Sequence, residues 1–440
     1  MVGVYTIPPN QSFVDSLATG VLAEVGDTPQ SLLEYTILLP TRRACRALRD
    51  AFLRASNGNA LLLPTMRPLG DVDEDELLLQ DLPTGADLDI PPVIPGLRRR
   101  LMLARLILNW ESPAGPITVD QATRLAAELE RFLGQVQTER LSFNGLRDLV
   151  PERYAEHWQK VLNFLKIVTE HWTAILAEEG GIDVAARRNL LLETLTEAWT
   201  ITPPSGQIIA AGSTGTIPAT SDLLATIATL PNGRVILPGL IYDPSSWDAI
   251  HRDQSHPQHN LARLLDRLQL KPEAVNTWTD APIISPRVKL IAEAMRPAET
   301  TQAWRTLDII PDEALAGVDR VDCNDSAEEA IVIALILRHA LEIPGKTAAL
   351  ITPDRNLGRR VAAELRRWDI EIDDSAGESL AMSAPGNFLR LIAAMVGSAF
   401  APAPLLSVLK HPLAAAGIST MQLRRDARLL ERLVLRGPRP

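Results

Sequence analysis

Short apolar runs that read as strands are each followed by a helical pattern, and this alternation restricts the chain to a parallel sheet covered by helices. Val2 to Ile7 leads into a helix with Phe13, Val14, Leu17 and Ala18 apolar. Tyr35 to Leu39 leads into a helix from about Arg43 that carries Ala44, Leu48, Ala51 and Phe52. A third strand is expected at Ala60 to Leu63. The pattern returns at Gln207 to Ala211, followed by a helix over Thr220 to Thr229 with Thr220 as its cap, and by a strand at Arg234 to Leu237. A proline-rich, acidic connector occupies 80–96, and 97–200 reads as helical throughout. In its clearest stretch Trp158, Val161, Leu162, Leu165, Val168, Trp172, Ile175 and Leu176 recur at helical spacing until Gly180-Gly181 ends the helix. A second α/β unit begins near Val318. It has strands at Val321-Asp322, Ala348 to Thr352 and Ile370 to Ile372, a helix capped at Asp325 or Ser326, and another with Val361, Ala362, Leu365 and Trp368 on one face.

The expected class is therefore α/β, with 1–96 and 201–317 forming one parallel-sheet domain, 97–200 a helical insertion, and 318–440 the start of a second such domain. The chain holds two cysteines, Cys45 and Cys323, which excludes a disulfide framework or a four-cysteine metal site within it and fits a reducing cytoplasm. Apolar runs such as Ala330 to Leu337 fall short of the roughly 18 residues that span a bilayer. Net charge is −10, which argues against bulk electrostatic binding of duplex DNA. Basic charge is nonetheless clustered, at Arg42/Arg43/Arg46/Arg49, Arg98–Arg100, Arg359/Arg360/Arg366/Arg367 and Arg424/Arg425/Arg428. A groove lined by a few of these could hold a single strand despite the acidic total.

The first strand, loop and helix occupy the slot where a phosphate-binding loop places GxxxxGK[ST]. There, glycines let backbone N–H groups close on phosphates and a lysine adds a point charge. Here the loop is Pro8-Pro9-Asn10-Gln11-Ser12, with no glycine, and the first lysine of the chain is Lys160. The slot is present and its chemistry is missing.

Four segments, in order, resemble the core of UvrD-type superfamily 1 DNA helicases. YTIPPNQSFVDSLA stands at Walker A, and TILLPTRRACRALRDAFL at motif Ia. QIIAAGSTGTIPATSDLLATIATLPNGRVILPGL has the spacing of motifs II and III, and AALITPDRNLGRRVAAELRRWDIEID that of motif IV. The phrases RPLGDVDEDEL, AAGSTGTIPAT and ITPDRNLGRRVAAELRRW make the resemblance closer to the AddB subunits of AddAB helicase–nucleases, of the alphaproteobacterial type, across the whole chain. The resemblance implies a RecA-like sheet core in which the helicase chemistry is lost. The carboxylates that hold Mg²⁺ and activate water fall on Ala211 and Gly212, the acidic residue of motif III on Leu240, and the motif IV arginine on Thr352.

What the resemblance implies is a non-motor subunit of a double-strand-break resection enzyme in homologous recombination repair. It would bind single-stranded and duplex-end DNA, read the recombination hotspot (Chi) sequence, and pair with an AddA-type motor subunit in the cytoplasm. No catalytic residue and no cofactor is expected within this chain. The family's nuclease, with its divalent metal, and its iron–sulfur cluster lie in a C-terminal domain. This chain ends at Pro440, soon after PLLSVLKHPLAAAG, which resembles the opening of a 2B insertion, so an N-terminal piece is expected. DNA contacts are expected at Thr41, Arg42 and Arg43 of motif Ia, at Arg67 in the loop after the third strand, and at Ser213, Thr214 and Thr216. A strand end that meets a helix N-terminus offers N–H groups, hydroxyls and charge to phosphates and base edges. An inert scaffold that only docks the motor, and an active ATPase, are the alternatives.

Three further groupings have plainer readings. Gly345-Lys346-Thr347 precedes its strand and reads as a turn. His251, His256 and His259 lack supporting ligands for zinc. Asp71, Asp73, Glu74, Asp75 and Glu76 read as a solvated loop and the first turn of a helix through Leu77 to Leu79.

Overall fold

The computed structural model describes residues 3–26, 29–56, 59–69, 90–110, 115–143, 161–162, 164–279, 285–377 and 379–436. The chain divides into two compact units, Met1–Val318 and Asp319–Pro440.

The first unit is built on one parallel sheet. Its strands are β1 (Val4–Ile7), β2 (Tyr35–Leu39), β3 (Thr65–Pro68), β4 (Gln207–Ala211), β5 (Gly233–Pro238) and β6 (Asn276–Thr277). They lie in the order β3-β2-β4-β5-β1-β6 with every pairing parallel. The four inner strands β2, β4, β5 and β1 bury both faces, as a sheet with helices on both sides must. Ile7, Ile37, Leu39, Ile209, Ala211 and Ile236 face α1 (Phe13–Val25) and α2 (Arg42–Ala55), whose Leu17, Val21, Leu48 and Phe52 complete that core. Val4, Leu38, Ile208, Ala210, Val235 and Leu237 face the opposite side.

Between β3 and β4 come α3 (Gly96–Asn109), α4 (Val119–Thr138), α5 (Trp172–Glu179) and α6 (Val184–Ile201). Leu103, Ile107, Ala126, Leu129, Leu133 and Trp172 form a separate core for this helical block. The block is anchored through α6, whose Leu191, Leu192, Leu195 and Trp199 join the sheet core beside α7 (Pro218–Thr229). The described part of the helix expected around Trp158 widens to a π-turn at Ile167–His171 before α5, and Gly180 closes it with φ 58°. After β5 follow α8 (Trp247–Arg252), α9 (His259–Arg267) and α10 (Pro286–Ala294).

The second unit contains α11 (Ser326–Leu341), α12 (Arg355–Arg366), α13 (Ala384–Gly397), α14 (Pro402–Leu409) and α15 (Thr420–Leu430). Asp325 caps α11 by accepting from the amides of Ala327 and Glu328 at 2.8 and 2.9 Å. Ala330, Ala334, Val361 and Leu365 form its core where α11 meets α12.

The structure corrects several sequence expectations. The third strand is Thr65–Pro68, not Ala60 to Leu63, so Arg67 lies on a strand and not in the loop after it. Thr220 is not a cap; it is buried within α7, whose N-cap is Ile217 and whose first residue is Pro218. The three runs expected as strands in the second unit form no strand among its described residues. Leu350 and Ile370 pack against the α11–α12 core while Ile351 is 94% exposed. The alternation of a strand is present there without a neighbouring strand to complete the ladder. The run Asp71 to Leu79 lies outside the described residues.

Candidate functional site

In a parallel sheet, ligand crevices open at the strand C-termini where successive crossovers leave for opposite faces. The loop after β1 leads to α1 on one face, and the loop after β4 leads to α7 on the other. Between β1 and β4 lies β5, so the loops after these three strands, residues 8–12, 212–217 and 239–246, converge on one end of the sheet.

At the β1 end the crevice is filled. Gly239 has φ 60° and abuts Pro9; a Cβ there would come within 3.3 Å of the Pro9 Cβ. Gly212 has φ 76°, and a Cβ there would meet the Phe13 ring at 3.2 Å and the Pro40 ring at 3.6 Å. The β1 loop is pinned as well. Gln11 Oε1 accepts from Ser16 Oγ at 3.0 Å and from Thr279 Oγ1 at 2.9 Å. Buried Thr6 donates to the Leu237 carbonyl at 3.2 Å and accepts from the Leu240 amide at 3.1 Å, tying β1 to the exit of β5. In the first turn of α1 stands Asp15, where a phosphate would need positive charge. Hydrogen bonds from Ser12 and Arg54 hold its carboxyl below the usual range and therefore ionised. Proline and phenylalanine in place of backbone donors, and a carboxylate in place of a lysine, do not fit the phosphates of a nucleotide. The sequence marked the missing chemistry of this slot. It did not mark Phe13, Pro9 and Gly239 as its filling, although a bulky apolar residue opening the helix was the available signal.

The adjoining half of the same edge, over β3, β2 and β4, is polar. Thr41 is the N-cap of α2, with its Oγ1 accepting from the Ala44 amide at 3.1 Å. Arg42 and Arg43 are exposed in the first turn of α2, which holds no acidic residue. Positive charge there opposes the helix dipole. Arg67 is half-buried on β3, in register with Leu38 of β2. Ser213 Oγ accepts from the Gly215 amide at 3.3 Å, and the Thr214 and Thr216 hydroxyls bond each other at 2.9 Å. Because β2 pairs with both β3 and β4, the seven sequence-predicted residues share three adjacent strand ends.

The remaining motifs have other partners. Leu240 is buried, and Thr352, in the second unit, accepts from the Asp354 amide at 3.0 Å. Lys346 donates its amide to Ile343 in a turn that passes through Gly345 at φ 76°. His251 pairs with Asp266, His256 accepts from the Gln258 amide, and His259 contacts the Ile250 carbonyl. Among the described residues no group of three His, Cys, Asp or Glu side chains could hold a metal, and no helix is long and apolar enough to cross a membrane. Cys45 is buried against α1, and Cys323 belongs to the other unit; two thiols do not make a cluster site.

Comparison of the chain with protein-family models and with curated proteins gives no match.

Proposed function

We propose that the chain is the non-motor subunit of a cytoplasmic helicase–nuclease that resects DNA double-strand breaks. In this reading an inactivated helicase core binds single-stranded DNA and reads the recombination hotspot, while an AddA-type partner drives translocation. The observation that carries the reading is the contrast within one sheet edge. The nucleotide half is packed with Pro9 and Phe13, whereas the adjoining half sets Thr41, Arg42 and Arg43 on the unfavourable end of a helix dipole. Phosphate contacts at Thr41, Arg42 and Arg43 would fix register, and Arg67, Ser213, Thr214 and Thr216 would face bases.

The test is a reconstituted heterodimer translocating past a hotspot. Thr214→Ala and Arg67→Ala should shorten hotspot pauses about tenfold, the effect of losing one good base contact, while unwinding speed holds. Normal pausing in both variants, or slowed translocation in both, would remove recognition from this surface. The internal bond between the Thr214 and Thr216 hydroxyls favours the second reading, a scaffold that docks the motor without reading DNA. Unchanged pausing together with normal heterodimer assembly would select it.

A further inference from the structure

The helical block carries an open pocket of about 530 Å³ between α3, α4 and the start of α6. Three arginines from three helices line it, Arg99, Arg131 and Arg188, and the lining holds one carboxylate, Glu139, which is exposed at the rim. Arg99 has 7% of its side chain exposed. Its Nε lies 2.9 Å from Oδ1 of fully buried Asp183, without the alignment of a hydrogen bond, and its Nη2 has no partner. Asp183 is already engaged through Oδ2, which accepts from Gln137 at 2.6 Å and from Trp172 Nε1 at 3.0 Å. Glu130 stands 3.9 Å from Arg99 Nη1 and is held by Arg100 Nε at 2.9 Å.

Arg188 is the sharper case. It is half-buried, its Nη2 donates to Thr138 Oγ1 at 2.9 Å, and its buried Nε has no hydrogen-bond partner. Among the described residues no carboxylate pairs with it, and burial alone pushes its pKa below the ordinary arginine value. The group still carries its charge at any physiological pH. A desolvated guanidinium without a counter-ion is costly, and the usual compensation is a buried anion with several acceptor oxygens. Arg131, whose visible partner is the exposed Glu128, stands at the mouth.

We propose that this cavity binds a phosphoryl oxyanion, held by Arg188 and by the unpartnered Nη2 of Arg99, with Arg131 at the entrance. A phosphoryl group supplies both the charge and the fork of acceptors that two guanidinium planes need. A carboxylate supplies one charge and two oxygens, fewer acceptors than the donors that Arg188 Nε, Arg99 Nη2 and Arg131 together present. Free phosphate or pyrophosphate and a nucleic-acid backbone are the two sources of such a group. The site is built from α3, α4 and α6 and is independent of the sheet edge described above.

The experiment titrates the full chain with inorganic phosphate, pyrophosphate and an oligothymidylate at constant ionic strength in chloride, with calorimetry and thermal melting as readouts. Saturable pyrophosphate binding that raises the melting temperature is expected. Arg188→Gln should weaken that binding at least about tenfold, the scale of a lost charged hydrogen bond. The same variant should raise the melting temperature of the free protein, because it removes an uncompensated charge and keeps a donor for Thr138. Should Arg188→Gln fail to fold, Arg131→Gln, at an exposed position, should still weaken binding several-fold without loss of stability. Arg124→Gln, on α4 and paired with Asp120, should match the wild type. Displacement of the oligonucleotide by pyrophosphate assigns the phosphoryl group to a nucleic-acid backbone; pyrophosphate binding without displacement assigns it to a free oxyanion. No saturable response of the wild type up to ~10 mM, where linkage would make even weak binding visible, or equal affinity in the arginine variants, overturns the proposal.

Discussion

The two halves of one sheet edge were built from the same grammar of strand, loop and helix, and they ended differently. At the β1 end, Pro9 and Phe13 close on Gly239 and Gly212, the loop's hydrogen bonds turn inward, and Asp15 sets a negative charge in the first turn of α1. At the β2 end, hydroxyls and arginines remain on the outside of the helix start. The first half reads as packing and the second as exposed polar surface, and substitutions test whether a ligand uses it.

The largest effect is expected at Gly212. A valine there must adopt φ near 76°, which strains a β-branched residue, and must push into the Phe13 ring. Left-handed strain and overpacking each cost on the order of 1–3 kcal/mol, so Gly212→Val should destabilise by about 3 kcal/mol. Urea denaturation reads this as a lower midpoint at unchanged slope. A neutral result would mean that Phe13 swings aside easily and that the crevice is open enough to admit a ligand, which breaks the comparison at its root.

The contrast was only partly legible in the sequence. Long β strands with a following helix were plain: Tyr35–Leu39 and Gln207–Ala211 stand where the apolar runs placed them. The edge strands were not. β3 carries Arg67 and Pro68, which a strand tolerates when it pairs on one side only, as β3 does with β2. The more apolar Leu61 and Leu63 beside it merely lean on the α1–α2 core. β6 is two residues long, too short for any periodicity. In the second unit the pattern around Leu350 and Ile351 is correct for an extended segment. Periodicity reports which face is buried and says nothing about whether a hydrogen-bonding neighbour exists. At the site, missing glycines and lysine were readable because they are absences from a motif. The Gly239–Pro9 and Gly212–Phe13 contacts join residues some two hundred positions apart and had no local signal. Arg99 stands in the basic cluster Arg98–Arg100, and nothing local marks it as the buried one, since its partner Asp183 is distant in sequence.

A smaller effect is expected at Thr41. Its Oγ1 satisfies the Ala44 amide, one of the open donors of α2, and Thr41→Ala should cost about 1 kcal/mol by loss of that cap. Thr41→Ser keeps the acceptor and should cost a few tenths of that. The O–H of Thr41 stays available while its oxygen caps the helix, so DNA binding separates two roles. If the folded Thr41→Ala variant binds a single strand as the wild type does, Thr41 belongs with the packed half, and the polar half shrinks to the arginines and the residues 213–216.

The smallest effect on stability, and the sharpest division between the halves, is expected for the Arg42→Ala, Arg43→Ala double substitution. Both arginines stand in the first turn of α2, where positive charge opposes the helix dipole. Removing them should leave stability unchanged or raise it by about 0.3–1 kcal/mol. If they contact phosphates of a single strand, each contributes about 0.7 to the dependence of log affinity on log salt, so the slope should fall by roughly 1 to 1.5. A rise in stability with a shallower salt slope means that the chain keeps an unfavourable helix start because a ligand needs it. A fall in stability with an unchanged slope means that the arginines pack or pair within the fold. The two halves of the edge would then be alike, and the DNA path would have to be sought elsewhere on the molecule.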